Sequence, residues 1–100
     1  MATVLVDGEN VRRSTWPNLR RRELEDRARA WGDANGHDVI VVWERRHESA
    51  DDWIARNARE HAPYWLVTSD RELRARAGRD AERVIGGGAF LRELSAEAPE

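Results

Sequence analysis

The stretch TVLVDGEN, residues 3–10, decides the fold, because a short β-branched run ends there in an acidic and polar turn. Three more β-branched runs follow along the chain, and segments with helical spacing separate them. Nearly continuous apolar strands that alternate with helices are typical of a parallel sheet covered on both faces. We therefore predict an α/β fold, a three-layer α/β/α sandwich around a four-stranded parallel sheet of order 2-1-3-4. The predicted strands cover residues 3–6, 39–43, 65–68 and 83–85.

Helix signals follow each predicted strand. Apolar residues that recur at i, i+4 and i+7 from Leu24 predict a helix over residues 19–34. Ser49 stands at the N-cap position of a second helix, and Asp70 is placed to cap a third. A fourth helix follows the glycine run at residues 86–88. The predicted order is therefore one helix after every strand.

Length and composition limit the class of protein. One hundred residues are enough for one core, so we expect a single domain over residues 1–95 and a frayed acidic tail over residues 96–100. The chain has no cysteine, which excludes disulfides and thiolate-held zinc or iron–sulfur sites, and we expect a cytoplasmic protein. The apolar run at residues 1–6 is too short for a signal peptide or a membrane span, so no membrane association is expected.

Acidic residues follow the predicted strands. Asp7 comes directly after the first strand and Asp70 after the third, while Asp51 and Asp52 open the helix after the second. In an open parallel sheet, functional groups gather at the carboxyl ends of the strands beside the point where strand order reverses. Each Asp alone is also explained by a turn or a helix N-terminus. Together they predict a shared acidic site.

Clustered carboxylates raise one another's pKa unless a divalent cation lies among them. Oxygen ligands without His or Cys select hard cations, so the expected cofactor is magnesium or manganese. Such a cation activates water for in-line attack on phosphorus and stabilises the leaving oxygen. The reaction that this pattern indicates is the hydrolysis of a phosphodiester bond.

Three stretches in this order and spacing resemble the NYN domain, a family of PIN-like nucleases, and within it the YacP-like branch. They are VDGEN at residues 6–10, SADDWIA at residues 49–55 and VTSDREL at residues 67–73, with Phe90 and Leu91 near the end. The resemblance covers nearly the whole chain. It implies a metal-dependent endoribonuclease that uses magnesium or manganese and leaves a 5′-phosphate.

The same resemblance implies roles for individual residues. Asp7, Asp51 and Asp70 would be the metal ligands, and Asn10 would lie beside the metal or the scissile phosphate. Two departures from the family pattern stand out. Relatives commonly continue the second strand into an Asp-Gly turn where this chain has Glu44 and Arg45, and no clear fourth carboxylate follows Asp70, so that Asp52 is the expected substitute.

All 17 positively charged side chains are arginine, against 19 acidic ones, for a net charge of −2. Arginine holds phosphates through two parallel hydrogen bonds, so arginines at the edge of the acidic site are candidates for binding single-stranded RNA. These candidates are Arg12, Arg13, Arg45, Arg46 and Arg71. Trp16 either stacks on an unpaired base or packs against the first helix, whereas Trp31, Trp43 and Trp65 are expected in the core or at an interface.

Several enzyme classes are excluded by missing motifs. No Gly-Lys-Ser or Gly-Lys-Thr follows the glycine run, no nucleophile elbow is present, and no Asp-x-Asp follows the first strand. Two alternatives to a ribonuclease stay open. One is an RNA-binding module with a decayed site, which the short length and the Glu44-Arg45 departure favour. The other is a protein-interaction domain or homodimer, which the five tryptophans favour.

Overall fold

The computed structural model describes residues 2–97. The sheet contains four parallel strands in the order β2-β1-β3-β4, as predicted. Every strand lies within one residue of its predicted position. The strands are β1 (Thr3–Asp7), β2 (Asp38–Val42), β3 (Tyr64–Val67) and β4 (Arg83–Ile85).

Among the described residues, five α-helices surround this sheet, one more than predicted. The additional helix directly follows β1. Val11 is the single apolar side chain of this helix, so the sequence contains no periodic apolar pattern that could reveal it. The next helix begins two residues later than predicted and ends at Gly36, which adopts a left-handed conformation with φ 71°. The helices are α1 (Gly8–Arg12), α2 (Arg21–Asn35), α3 (Ala50–Asn57), α4 (Arg71–Ala77) and α5 (Gly87–Glu97), with a 3₁₀ turn (Ala58–His61) after α3.

Two apolar clusters, one on each face of the sheet, make the three layers. Val4 and Val6 of β1 contact the first cluster, which takes its helical residues from α1, α2 and α5. Leu5 points to the other face and joins the second cluster, to which α3 and α4 contribute. Because side chains alternate along a strand, β1 is buried on both faces, which confirms the predicted sandwich.

Two helices are capped as the sequence predicted. The Ser49 side chain accepts a 3.1 Å hydrogen bond from the Asp52 backbone N–H at the start of α3. Asp70 Oδ1 accepts from the backbone N–H groups of Glu72 and Leu73, at 2.8 and 3.1 Å, at the start of α4. These caps fix the chain where it leaves the carboxyl ends of β2 and β3.

At its carboxyl end the chain continues as α5 to Glu97, past the predicted boundary at residue 95. The rest of the predicted tail, residues 98–100, lies outside the described residues. No helix within residues 2–97 combines the length and the apolar character that crossing a membrane requires.

Candidate acidic site

Asp7 is the most enclosed acidic side chain of the site. It ends β1 and is only 4% exposed. The Thr68 hydroxyl donates a 3.0 Å hydrogen bond to Asp7 Oδ2, and no arginine pairs with this carboxylate among the described residues. Asp7 is therefore a buried acid that is stabilised by a hydroxyl group and not by a positive charge.

This environment raises the pKa of Asp7 from its ordinary 3.8 to about 6. Burial is the largest cause, because a low-dielectric environment disfavours the charged form. The hydrogen bond from Thr68 lowers the pKa in part, and the negative charges of Asp51 and Asp70 raise it again. The contributions of Asp51 and Asp70 to the pKa of Asp7 indicate that these three carboxylates, from separate chain segments, lie near one another.

Asp51 joins Asp7 from α3, which packs on the face of the sheet to which Leu5 points. It lies half-buried in the first turn of α3, and burial followed by the charge of Asp70 raises its pKa. The structure therefore brings together the three Asp residues predicted from the sequence. We refer to Asp7, Asp51 and Asp70 as the acidic triad.

Asn10 lies at the edge of the triad and its side chain is fixed. Its Oδ1 accepts a 2.8 Å hydrogen bond from the Ser69 backbone N–H. The Ser69 hydroxyl in turn accepts from the Gly87 backbone N–H at 2.8 Å. Because the amide oxygen is already engaged, Asn10 offers its NH₂ group, a donor, to a phosphate or a water.

The expected fourth carboxylate, Asp52, is engaged elsewhere. It is exposed, and its Oδ1 accepts a 2.9 Å hydrogen bond from Arg76, which holds its pKa below the ordinary value. Glu72, in the first turn of α4, is the better candidate, because its charge contributes to raising the pKa of Asp51. Glu72 is two residues after Asp70, so an additional carboxylate near the acidic triad was visible in the sequence.

Two of the candidate RNA-binding arginines are already paired. The Glu9 carboxylate forms ion pairs with three arginines, with N···O distances of 2.9 Å to Arg12, 3.1 Å to Arg13 and 3.1 Å to Arg21. The hydrogen bond from Arg12 is the largest cause of the lowered pKa of Glu9. These arginines surround one carboxylate near the acidic triad, and Arg12 is half-buried there, so its charge is largely compensated within the protein.

The other three candidate arginines are exposed. Arg45 and Arg46 lie in a tight hairpin after β2 that two backbone hydrogen bonds between Arg45 and Glu48 close, at 2.8 and 3.2 Å. Arg71 is the first residue of α4, next to Asp70. Within residues 2–97 none of the three forms an ion pair.

Trp16 is 88% exposed, which contradicts the expectation that it packs against a helix. Three other tryptophans were expected in the core or at an interface, and they lie in or against the core. Trp31 is buried, and Trp43 and Trp65 pack against the first cluster. Trp53 packs in the same way against the second cluster. Four of the five tryptophans therefore pack in or against the core, and Trp16 is the one that is almost fully exposed.

The donor chemistry of the triad fits a hard cation only in part. Within residues 2–97, no three acidic or histidine side chains already form a metal-binding group. Magnesium, however, commonly takes one or two carboxylates and completes its shell with waters and substrate phosphates. The buried, uncompensated Asp7 with Asp51 and Asp70 nearby fits this open kind of site, and a closed protein cage is not formed.

The fold has a known counterpart. A crystal structure of a mutant of Rae1 (YacP) from Bacillus subtilis matches the chain with a TM-score of 0.78 and 22% sequence identity, covering 94% of this chain and 74% of that one. No protein-family model and no curated protein matches the chain. The chain thus has the fold of Rae1 (YacP), which confirms, at the level of fold, the YacP-like architecture that the motifs predicted.

Proposed function

We propose that this chain, which shares the fold of Rae1 (YacP), is a magnesium- or manganese-dependent ribonuclease that cuts single-stranded RNA internally in the cytoplasm. The observation that carries the proposal is the convergence of Asp7, Asp51 and Asp70 without a compensating arginine on Asp7. Uncompensated carboxylates cost stability, and a divalent cation between them removes that cost. The resemblance of the surrounding motifs to the NYN domain supports the same activity.

The residues of the chain have distinct tasks in this proposal. Asp7, Asp51 and Asp70 would hold the cation, with Glu72 as the additional carboxylate and Asp52 outside the set. A bound cation supplies the positive charge that activates a water and stabilises the leaving oxygen. Thr68 orients the Asp7 carboxylate, and Asn10, fixed by Ser69, donates from its NH₂ group to a phosphate oxygen.

The test compares two neighbouring substitutions. Asp51→Asn is expected to weaken manganese binding at least about tenfold and to reduce cleavage at least about a hundredfold. Asp52→Asn, one residue further along α3, is expected to keep both within about twofold, because Asp52 pairs with Arg76. Calorimetry and the cleavage of a labelled RNA measure the two effects. Equal losses in both variants, or cleavage in excess chelator, would contradict the proposal.

A second candidate function is RNA binding without catalysis. The absence of a complete metal-binding group within the described part of the chain favours it. It predicts salt-sensitive binding of RNA that neither manganese nor the Asp51→Asn substitution changes, and no metal-dependent cleavage. The same two assays therefore distinguish the two functions.

A further inference from the structure

A groove separates the loop after α1 from the outer side of α5. It has a volume of about 330 Å³, at the lower end of the range of ligand-binding pockets. Its walls combine hydroxyl groups with one apolar and one positively charged side chain. The residues that form it are Ser14, Thr15, Gly88, Leu91, Arg92 and Ser95.

The groove continues the edge on which the acidic triad lies. The Ser14 hydroxyl donates a 2.9 Å hydrogen bond to the backbone oxygen of Asn10. On the other wall, Gly87, which precedes Gly88, donates to the same Ser69 whose N–H fixes the Asn10 side chain. The Ser14 wall is thus one hydrogen bond from Asn10 and the α5 wall two, so the groove lies beside the acidic triad.

Arg92 supplies the positive charge in this groove. Its Nη1 atom lies 3.7 Å from the point where a side chain on Gly88 would begin, so the guanidinium folds back over the start of α5. Arg92 is exposed and forms no ion pair within the described residues. A positive charge near the start of a helix does not stabilise that helix, so helix stability does not explain this placement.

Trp16 lies beside the groove in the chain. It directly follows Thr15, a groove residue, and it is 88% exposed. An exposed indole offers a wide aromatic face on which an unpaired base can stack. Proteins hold single-stranded nucleic acid by combining positive charges for the phosphates with aromatic side chains for the bases, and Arg92 and Trp16 supply one of each.

We propose that this groove is a second RNA subsite, in which Arg92 binds a backbone phosphate of the strand whose scissile bond lies at the acidic triad, while Trp16 stacks on an adjacent base. The proposal rests on the proposed ribonuclease function. It adds a binding surface outside the triad and gives the RNA strand a path across the protein, over Asn10 toward α5.

The experiment measures the affinity for a labelled single-stranded RNA of about twelve nucleotides in chelator, by fluorescence anisotropy at several salt concentrations. Arg92→Gln is expected to raise Kd about three- to tenfold and to lower the salt dependence by about one counterion. Trp16→Ala is expected to raise Kd about tenfold with the salt dependence unchanged. Ser95→Glu, which adds a negative charge to the groove, is expected to weaken binding as Arg92→Gln does.

Arg29→Gln is the matched control, because Arg29 is exposed on α2, outside the groove, and its loss changes the net charge equally. It is expected to change Kd less than about twofold. If the wild type binds RNA but Arg92→Gln and Trp16→Ala match Arg29→Gln, the groove proposal is wrong and the ribonuclease proposal stands. If the wild type binds no RNA even at low salt, both proposals fail.

Discussion

The Thr68 hydroxyl donates to Asp7 Oδ2 at 3.0 Å, and the same hydroxyl oxygen accepts from the Asp70 backbone N–H at 3.1 Å. One fully buried side chain thus connects the end of β1 to the start of α4. The hydroxyl hydrogen binds the Asp7 carboxylate, and the hydroxyl oxygen holds the backbone of Asp70. The separation between these two carboxylates therefore depends on Thr68.

Replacing Thr68 by valine tests this connection. Valine keeps the shape but leaves the buried Asp7 carboxylate and the Asp70 N–H without their partner, so we expect unfolding to become easier by about 1–3 kcal/mol. Thr68→Ser, which keeps the hydroxyl, is expected to cost about 1 kcal/mol through the lost methyl group. Urea denaturation measures both changes. If the serine variant loses as much as the valine variant, packing and not hydrogen bonding explains the role of Thr68.

The raised pKa of Asp7 makes stability depend on pH. The folded chain keeps the Asp7 proton up to about pH 6, whereas the unfolded chain releases it near 3.8. The folded state therefore binds more protons between these values, and the free energy of unfolding of the metal-free protein falls as pH rises through this interval. For the Asp7 group alone the full decrease is about 3 kcal/mol. Asp51, whose pKa is also raised, contributes in the same direction.

Asp7→Asn is expected to remove most of this decrease and to be more stable than the wild type at pH 7 without metal. Its amide oxygen still accepts from Thr68, so the comparison isolates the charge. Denaturation curves between about pH 4 and pH 8 give the result, with the exposed Asp33→Asn on α2 as control. Stability that rises through this interval in the wild type would contradict the assigned direction of the pKa shift.

Asp70 has a structural task besides its proposed role in metal binding. Its Oδ1 accepts from two of the N–H groups at the start of α4 that lack a partner within the helix, those of Glu72 and Leu73. Asn caps helices about as well as Asp does, whereas Ala does not. We expect Asp70→Asn to keep the wild-type melting temperature and lose cleavage, and Asp70→Ala to lose cleavage and about 1 kcal/mol of stability. An asparagine variant that still cleaves RNA would remove Asp70 from the proposed ligands.

Gly8 is required by packing. A Cβ at Gly8 would lie 2.6 Å from ring atoms of Trp43, which is held between the Glu25 carboxylate, its hydrogen-bond acceptor, and the Arg21 guanidinium, 5.2 Å from the ring centroid. The ring cannot move without breaking these contacts. Gly8→Ala is therefore expected to destabilise the fold by about 1–3 kcal/mol in thermal unfolding. The control is Gly88→Ala, whose Cβ meets no atom closer than 3.7 Å.

The architecture was predictable because its signals are local and repeated. Apolar runs fixed the four strands within one residue, and the caps at Ser49 and Asp70 were visible as residue types at helix starts. The helix α1 was missed because it is five residues long and buries only one larger apolar side chain. A turn was one of the alternatives for the segment that contains Asp7 and Gly8, whereas Gly8 is helical and its small size accommodates Trp43.

The candidate site was predictable in its triad and not in its surroundings. The bonds from Thr68 to Asp7 and from Ser69 to Asn10 join residues that are far apart in sequence, so no local pattern reveals them. The sequence did contain the information that separates Asp51 from Asp52 at the start of α3. The buried residues Ala50, Ile54 and Ala58 recur every four residues and turn Asp52 away from the sheet.

The double task of Asp70 has an evolutionary consequence. If the proposed ribonuclease activity were lost in a descendant, selection for a stable fold would still retain Asp or Asn at this position, because α4 needs its cap. Asp51 caps no helix and, with its raised pKa, weakens the metal-free fold, so it would be replaced early once activity lost its value. Among relatives of this protein, an acid at position 51 is therefore the more informative sign of a working enzyme, and an acid at position 70 mainly reports that the fold persists.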